Sequence, residues 1–267
     1  MNPFRSRAST SVTVVALTAI AVTIYLSAFS TSGGDPAADV TRQESAGQPL
    51  SVVVIVPGYG GSADSVKALA ASLGAAGHQV TTVALPGDGT GDINAMAPAL
   101  GEAVQQATAS GAPVDVVGFS MGGLVVRTWA RDLGGASIAR RIVTVGTPNA
   151  GTETAELGAA FGACPPACQQ MVPGSDFLNR LNEGDPTPDG PAWITVRSST
   201  DEVVRPDGTT AMDGASNVLL QDVCDGVDIG HGELVTAQLP VAIVVQAVSQ
   251  RPWVTPTDTD CSSLQAR

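Results

Sequence analysis

From residue 50 onwards, short runs of apolar, mostly β-branched residues alternate with segments that have the hydrophobic spacing of helices. The first run, 50–56, reads LSVVVIV and ends at a Pro-Gly pair, and a helical pattern follows at 62–75. Continuous apolar runs of this length are typical of strands buried on both faces of a parallel sheet. The alternation predicts an α/β domain with a doubly wound, mostly parallel, six-stranded sheet and helices on both faces.

The remaining elements follow from the same two patterns. Further strands are predicted at 79–85, 114–119, 139–146, 193–197 and 217–222. Helices are predicted at 93–109, with Asp92 as the N-cap, at 121–133 and at 233–249. The last of these contains Pro240, which we expect to kink it.

Residues 147–191 interrupt this rhythm. They are rich in Gly, Pro and Cys and contain two short possible helices, 152–161 and 168–181. Ligands of doubly wound sheets bind at the carboxyl ends of the strands. We therefore expect this insertion to form a lid or a wall of a pocket.

The N-terminus has the pattern of an export signal. MNPFRSR carries two arginines, and an uncharged, largely apolar run follows it. This pattern predicts a signal peptide over 1–30, although the run is also near the ~20 residues that span a bilayer. Residues 31–49 are polar and predict a disordered linker, which leaves 50–267 as the folded domain. We expect a secreted protein; the alternative is anchoring by residues 10–29 with the domain outside.

Four cysteines fit an exported protein. Cys164 and Cys168 flank three residues, a spacing that a short loop bridges, and Cys224 and Cys261 would then pair and tie the tail to the body. Three connectivities are possible in principle, and local geometry favours this one. A zinc site is the rival interpretation. It is weak because CPPAC has no second pair or histidine at ligand spacing, so no metal is expected.

Composition excludes several classes of protein. The chain is 43% hydrophobic and only 14% charged, which does not fit a disordered chain. Its net charge of −12 makes nucleic acid and anionic lipid headgroups poor partners. We expect a soluble monomer that does not bind nucleic acid.

The stretch GFSMGG, residues 118–123, contains the first candidate for chemistry. A predicted strand ends at Phe119 and a predicted helix begins at Met121, so Ser120 lies on the turn between them. This is the context that a G-x-S-x-G nucleophile requires, with glycines where side chains would clash with the strand and the helix. The alternative is a Gly-Ser turn without chemistry.

A serine nucleophile needs a base, and the chain has two histidines. His78 precedes the second strand, at the amino edge of the sheet, and we expect it in a surface turn. His231 follows the last strand and precedes the last helix, which places it at the carboxyl edge with Ser120. We assign His231 as the general base.

An acid should fix the tautomer of the histidine. Asp201 fits best because it follows the fifth strand directly and lies between serine and histidine in the chain, as this fold requires. Glu202 is the first alternative. Other carboxylates lie in the insertion or too near His231 in sequence: Asp176, Asp185, Asp189, Asp225 and Asp228.

An oxyanion hole completes the predicted site. One donor is the backbone N–H of Met121, which follows the nucleophile. The other should come from the glycine-rich loop 57–62, where the main chain of Tyr59 is the expected donor and its ring could line the pocket.

These motifs resemble the α/β-hydrolase superfamily, specifically small bacterial secreted lipases and esterases, over about residues 50–250. VPGYGGS resembles the oxyanion loop, GFSMGG the nucleophile turn, GTPNAG the segment after the next strand, STDEVV the acid loop and GHGEL the histidine loop. Many relatives have His-Gly where this chain has Pro57-Gly58. The resemblance implies hydrolysis of carboxylic esters, often acylglycerols, without a cofactor.

The sequence thus predicts a secreted serine hydrolase, a lipase, that works through an acyl-enzyme on Ser120. Its partner would be a small-molecule or lipid ester, with transient contact to a lipid interface. An acyltransferase, a thioesterase or an amidase would use the same residues. The alternative from another class is a non-catalytic, membrane-anchored binding protein.

Overall fold

The structure is a computed structural model that describes residues 51–109 and 111–266. The expected signal or anchor, 1–30, and the expected linker, 31–49, lie outside the described residues. Within the part of the chain that is described, no helix is both long enough and apolar enough to cross a bilayer.

Six parallel strands form the central sheet, in the order β2-β1-β3-β4-β5-β6. The strands are β1 (Val52–Val56), β2 (Gln79–Thr82), β3 (Val114–Phe119), β4 (Ala139–Val145), β5 (Ala192–Arg197) and β6 (Ser216–Leu219). The predicted fold class is therefore confirmed. The order reverses between β1 and β3, and a crevice for ligands opens at such a point, beyond the carboxyl ends of the strands.

Helices cover both faces of this sheet. The α-helices are α1 (Lys67–Ala75), α2 (Ile93–Ala107), α3 (Met121–Asp132), α4 (Glu153–Ala160), α5 (Pro166–Gln170), α6 (Asp176–Asn182), α7 (Leu220–Val223), α8 (Gln238–Ser249) and α9 (Cys261–Gln265). Short 3₁₀ turns occur at Ala63–Val66, Gly135–Ser137, Asp207–Thr210, His231–Val235 and Asp258–Asp260.

Strand β1 shows why the apolar runs are continuous. All five of its residues are fully buried, and alternate side chains point to opposite faces of the sheet. Val54 packs in one core layer with α2 and α3, whereas Ile55 packs in the other with α1 and α8. Burying a side chain of this size contributes about 1.5–3 kcal/mol, so both layers stabilise the sheet.

The end of the domain differs from the prediction. The single helix expected over 233–249 is wrong, because a 3₁₀ turn (His231–Val235) comes first and α8 begins only at Gln238. Pro240 is the third residue of α8, where an N–H has no intrahelical acceptor, so no kink is needed to accommodate it. The strand expected over 217–222 also ends early, and its second half is helix α7.

Residues 147–191 carry three short helices, α4 to α6, instead of the two expected. The helix predicted at 168–181 is interrupted between α5 and α6. The segment also contains a disulfide between Cys164 and Cys168, and a second disulfide joins Cys224 to Cys261. The second bridge spans 37 residues and contributes about 3–4 kcal/mol in the chain-entropy model.

Candidate active site

Ser120 occupies a strained turn between β3 and α3. It has φ 54° and is the one non-glycine residue with positive φ among those described. Such a conformation costs about 1–3 kcal/mol and persists only where the surroundings impose it. A side chain on Gly118 would come within 2.5 Å of Gly123, and one on Gly122 would overlap the carbonyl oxygen of Val56. The glycines therefore allow the strand, the turn and the helix to approach closely.

The structure brings Ser120, His231 and Asp201 together. The Nε2 atom of His231 lies 2.9 Å from the Ser120 Oγ, and its Nδ1 atom lies 2.7 Å from the Asp201 Oδ2. A carboxylate only accepts, so the Nδ1–H of His231 donates to Asp201 and Nε2 accepts the serine hydroxyl. The three residues are 8%, 9% and 6% exposed, respectively, so little water competes for these hydrogen bonds.

Backbone groups hold Asp201 in place. Its Oδ1 accepts the N–H groups of Val203 and Val204, each at 2.8 Å, which leaves Oδ2 for the histidine. Glu202, the alternative acid, reaches the main-chain N–H of His231 instead of its ring. Of the two neighbouring carboxylates, Asp201 is therefore the one that contacts the imidazole ring itself.

Two contacts that sequence reasoning missed support the histidine. The ring of Phe119 stacks on the imidazole of His231 with centroids 5.0 Å apart. Gly146, with φ 55°, lies below both His231 and Asp201: a Cβ there would be 3.3 Å from the His231 Cε1 and 2.6 Å from the Leu234 side chain. The signal for this glycine is its position at the end of the strand next to the nucleophile strand.

The expected oxyanion residues lie next to the serine. Met121 is the first residue of α3, and Tyr59 borders the same cavity as Ser120. A side chain on Gly58 would come within 3.0 Å of the Ser120 Cβ, so the glycine lets the loop approach the serine. Burial, with a smaller contribution from Asp88, raises the pKa of Tyr59, which keeps its phenol neutral.

A cavity of about 260 Å³ opens at Ser120. Residues of the 147–191 segment form much of its wall, together with Val203 and Val204 from the loop after β5. The apolar contributors from that segment are Pro148, Ala155, Gly158, Ala163 and Met171. These residues of the segment therefore line the cavity, and a role of the segment as a lid stays a prediction.

The expectation that His78 lies in a surface turn is wrong, because the residue is buried, with 5% exposure. Its Nδ1 lies 2.9 Å from the Ser51 Oγ and its Nε2 lies 2.8 Å from the Ser249 Oγ. Ser51 in turn donates to Asp115 at 2.8 Å, and Arg140 forms an ion pair with that carboxylate. Burial lowers the pKa of His78, although the charge of Asp115 opposes this effect.

No metal cluster was expected from CPPAC. Its two cysteines are joined in a disulfide, so they are not free to bind zinc in this state. Within residues 51–109 and 111–266, no three His, Cys, Asp or Glu side chains come together as a metal site would require.

A doubly wound parallel sheet, with a serine on its strand–helix turn facing a histidine and an aspartate, defines the class of α/β hydrolases. The model of the alpha/beta hydrolase family matches residues 53–258, and the chain belongs to this family. No curated protein sequence matched the chain.

Several solved structures share the fold. Lipase B of Aspergillus fumigatus superposes with a TM-score of 0.71 at 22% identity, over 81% of this chain and 57% of the lipase. The mature lipase BlEst2 of Bacillus licheniformis superposes with a TM-score of 0.64 at 15% identity, over 77% of this chain and 95% of the lipase. Phospholipase PlaB of Legionella pneumophila superposes with a TM-score of 0.55 at 15% identity, over 80% of this chain and 62% of the phospholipase. This chain thus spans little more than half of the Aspergillus lipase, and at these identities the likeness shows the fold alone.

Proposed function

We propose that the protein is a secreted carboxylic ester hydrolase that cleaves acyl lipids through an acyl-enzyme on Ser120. The observation that carries the proposal is the hydrogen-bonded chain from Ser120 through His231 to Asp201, with Ser120 at the wall of an apolar cavity. The names of the three similar structures, two lipases and a phospholipase, agree with this substrate class.

Catalysis would proceed in two steps. His231 removes the hydroxyl proton of Ser120 as the Oγ attacks the ester carbonyl, and Asp201 stabilises the resulting imidazolium. The imidazolium then protonates the leaving alkoxide, which departs as the alcohol. Water, activated by the same histidine, attacks the acyl-enzyme and releases the carboxylic acid.

The oxyanion would be held by the backbone N–H groups of Met121 and Tyr59. The Met121 N–H is at the positive end of helix α3, which favours developing negative charge. In the loop that carries Tyr59, the N–H groups of Gly60 and Gly61 donate to backbone carbonyls, which fixes the turn. A donor of this kind contributes roughly 3–4 kcal/mol to transition-state stabilisation.

The surroundings of the cavity support an acyl substrate. Its walls offer aliphatic side chains, and Tyr59 borders its opening with 44% exposure. The outer side of α4 and the residue after it expose Leu157 at 61% and Phe161 at 83%. Exposed apolar side chains beside a binding site are typical of contact surfaces. We propose that they make transient contact with the lipid interface.

Secretion is part of the proposal. The two disulfides are stable in oxidising compartments, and the N-terminal sequence has the pattern of a signal peptide. Mass spectrometry of the protein recovered from the medium would give the mature N-terminus, which we expect near residues 28–38. An intact N-terminus in the membrane fraction would indicate the anchored form.

A series of p-nitrophenyl esters from acetate to palmitate tests the activity. We expect hydrolysis by the wild type and none by Ser120→Ala, which should keep the wild-type circular dichroism spectrum. A maximum at long chains would identify a lipase, and activity confined to short chains an esterase. Undiminished activity in Ser120→Ala would refute the proposal, and product formed only with an added alcohol would indicate an acyltransferase.

A further inference from the structure

Two loops meet at the histidine, and they share more than the Asp201–His231 contact. The acid loop is the STDEVV segment, residues 199–204, and the histidine loop is taken with the three residues that precede GHGEL, as residues 227–234. Thr200 of the acid loop accepts the Ile229 N–H at 2.9 Å, and its hydroxyl lies 3.1 Å from the Ile229 carbonyl. The acid loop thus pairs with the main chain of the histidine loop two residues before the base.

Glu202 makes the second of these contacts. Its Oε2 accepts the backbone N–H of His231 at 3.0 Å. His231 begins a 3₁₀ turn, and an N–H at the start of such a turn has no acceptor inside it. The preceding residue usually supplies a side-chain oxygen, but here it is Gly230, so the acceptor comes from the other loop.

Gly230 also makes room for this carboxylate. A Cβ at Gly230 would lie 2.9 Å from the Glu202 Oε2 and 3.5 Å from its carboxyl carbon. A side chain at position 230 would therefore push Glu202 away from the His231 N–H. The sequences of both loops are compatible with the contact, one by its acid and the other by its lack of a side chain.

We propose that Glu202 is a positioning residue for the ester hydrolysis proposed above, and this inference rests on that function. By holding the main chain of His231, Glu202 fixes where the ring sits between Ser120 and Asp201. Its charge also favours the imidazolium formed during catalysis. Glu202 is exposed, so solvent screens the charge, and the hydrogen bond is the larger contribution.

Two substitutions separate these contributions. Glu202→Gln keeps an oxygen acceptor for the N–H and removes the charge, whereas Glu202→Ala removes both. We expect kcat to fall about tenfold in Glu202→Ala and only about two- to threefold in Glu202→Gln, with KM little changed. The exposed Glu102 on α2 is the matched control, and Glu102→Gln and Glu102→Ala should leave kcat unchanged.

Rescue by the conservative variant gives a readout that a merely structural role would not move. A residue that acts through the His231 N–H should be replaced largely by glutamine, which keeps the acceptor, and not by alanine. Equal kcat in Glu202→Ala and Glu202→Gln would overturn the proposal.

Nuclear magnetic resonance of the ring nitrogens distinguishes failure of this proposal from failure of the proposed activity. The chain has two histidines, so the spectrum contains two imidazoles and needs little assignment. Without any substrate, Glu202→Ala should move the ring-nitrogen resonances of His231 and leave those of His78 in place. An unchanged His231 would contradict the positioning role even if the enzyme were active, and a shifted His231 would support it even if no ester were cleaved.

Discussion

The carboxyl and amino edges of the sheet each hold a buried histidine in a hydrogen-bonded network of serine and aspartate side chains, but the order of the contacts differs. At the carboxyl edge, Asp201 contacts His231 directly, and His231 contacts Ser120. At the amino edge, a serine separates the acid from His78. Ser51 gives its proton to Asp115, so it accepts the Nδ1–H of His78, and Nε2 accepts the hydroxyl of Ser249. The neutral histidines thus have the same tautomer.

The two terminal serines differ in their surroundings. Ser120 precedes the N-terminus of α3, where the helix dipole is positive, and it borders a cavity. Ser249 is the last residue of α8, where the dipole is negative and opposes an oxyanion. Arg140 also neutralises the charge of Asp115. Among the ion pairs of the described residues, the partner of Asp201 is His231, and no arginine or lysine pairs with it. A serine hydrogen-bonded to a histidine is therefore not sufficient for a nucleophile.

The largest difference between the edges should come from removing each histidine. His231→Asn should lower kcat about 10⁴-fold or more, because the base is lost. His78→Asn should leave kcat per folded molecule within about threefold and lower the free energy of unfolding by about 1–3 kcal/mol, because buried partners lose hydrogen bonds. Ester hydrolysis and urea unfolding of both variants measure this. Loss of catalysis in folded His78→Asn would contradict the purely structural role assigned to the histidine at the amino edge.

The two aspartates should separate in the same way. Asp201→Asn should lower kcat by about 10³- to 10⁴-fold, because an amide no longer fixes the Nδ1–H tautomer. Asp115→Asn should destabilise the fold by about 2–4 kcal/mol, because Arg140 loses its charge partner. Kinetics and chemical unfolding on both proteins test this, and an unfolding midpoint of Asp115→Asn equal to the wild type would refute the assigned role.

Gly146→Ala tests how closely the carboxyl edge is packed. The new methyl group would meet the Leu234 side chain and the ring of His231, and alanine is strained at positive φ. We expect a fall in kcat of about tenfold or more and a loss of about 1–3 kcal/mol in stability. Gly74→Ala is the control, since nothing lies within 4 Å of its added Cβ. Equal behaviour of the two variants would argue against close packing under His231.

The smallest expected effect is a pH dependence of stability at the amino edge. Burial lowers the pKa of His78 in the folded state below its ordinary value of about 6.5 in the unfolded chain. The unfolded state therefore binds the proton more readily, so this stability is present above pH ~6.5 and is lost as the pH falls towards the folded pKa. Thermal unfolding at pH 7.5 and 5.5 should show a smaller difference in His78→Asn than in the wild type. Identical differences would contradict the assignment.

Most of the fold could be predicted because its signals are local. Consecutive apolar residues indicate a strand such as β1, and the flanking glycines indicate the turn at Ser120. The site residues could be proposed because chain order fixes which segments reach the carboxyl edge. The kink expected at Pro240 depends on where the last helix begins, because proline is accommodated in the first turn of a helix and disrupts its interior. A pattern of apolar residues does not locate that boundary.

The network around His78 could not be predicted from such signals. Its members come from elements far apart in the chain, and only strand register brings them together. Val52 pairs with Gln79 on one side, which places Ser51 beside His78. Val53 pairs with Asp115 on the other side, and Ser51, two residues before Val53, points to the same face and reaches that carboxylate. A shift of one residue would turn each side chain to the opposite face. The contact between Glu202 and His231 depends in the same way on two loops that the sequence does not align.

The backbone at Ser120 has a consequence for laboratory evolution. Glycine adopts its φ of 54° without the strain of about 1–3 kcal/mol that serine carries there. A library screened only for thermal stability would therefore accept glycine at this position, and the hydroxyl of the nucleophile would be lost. Serine would be retained only where turnover is also selected, so a screen for stabilised variants of this protein should measure activity in every round.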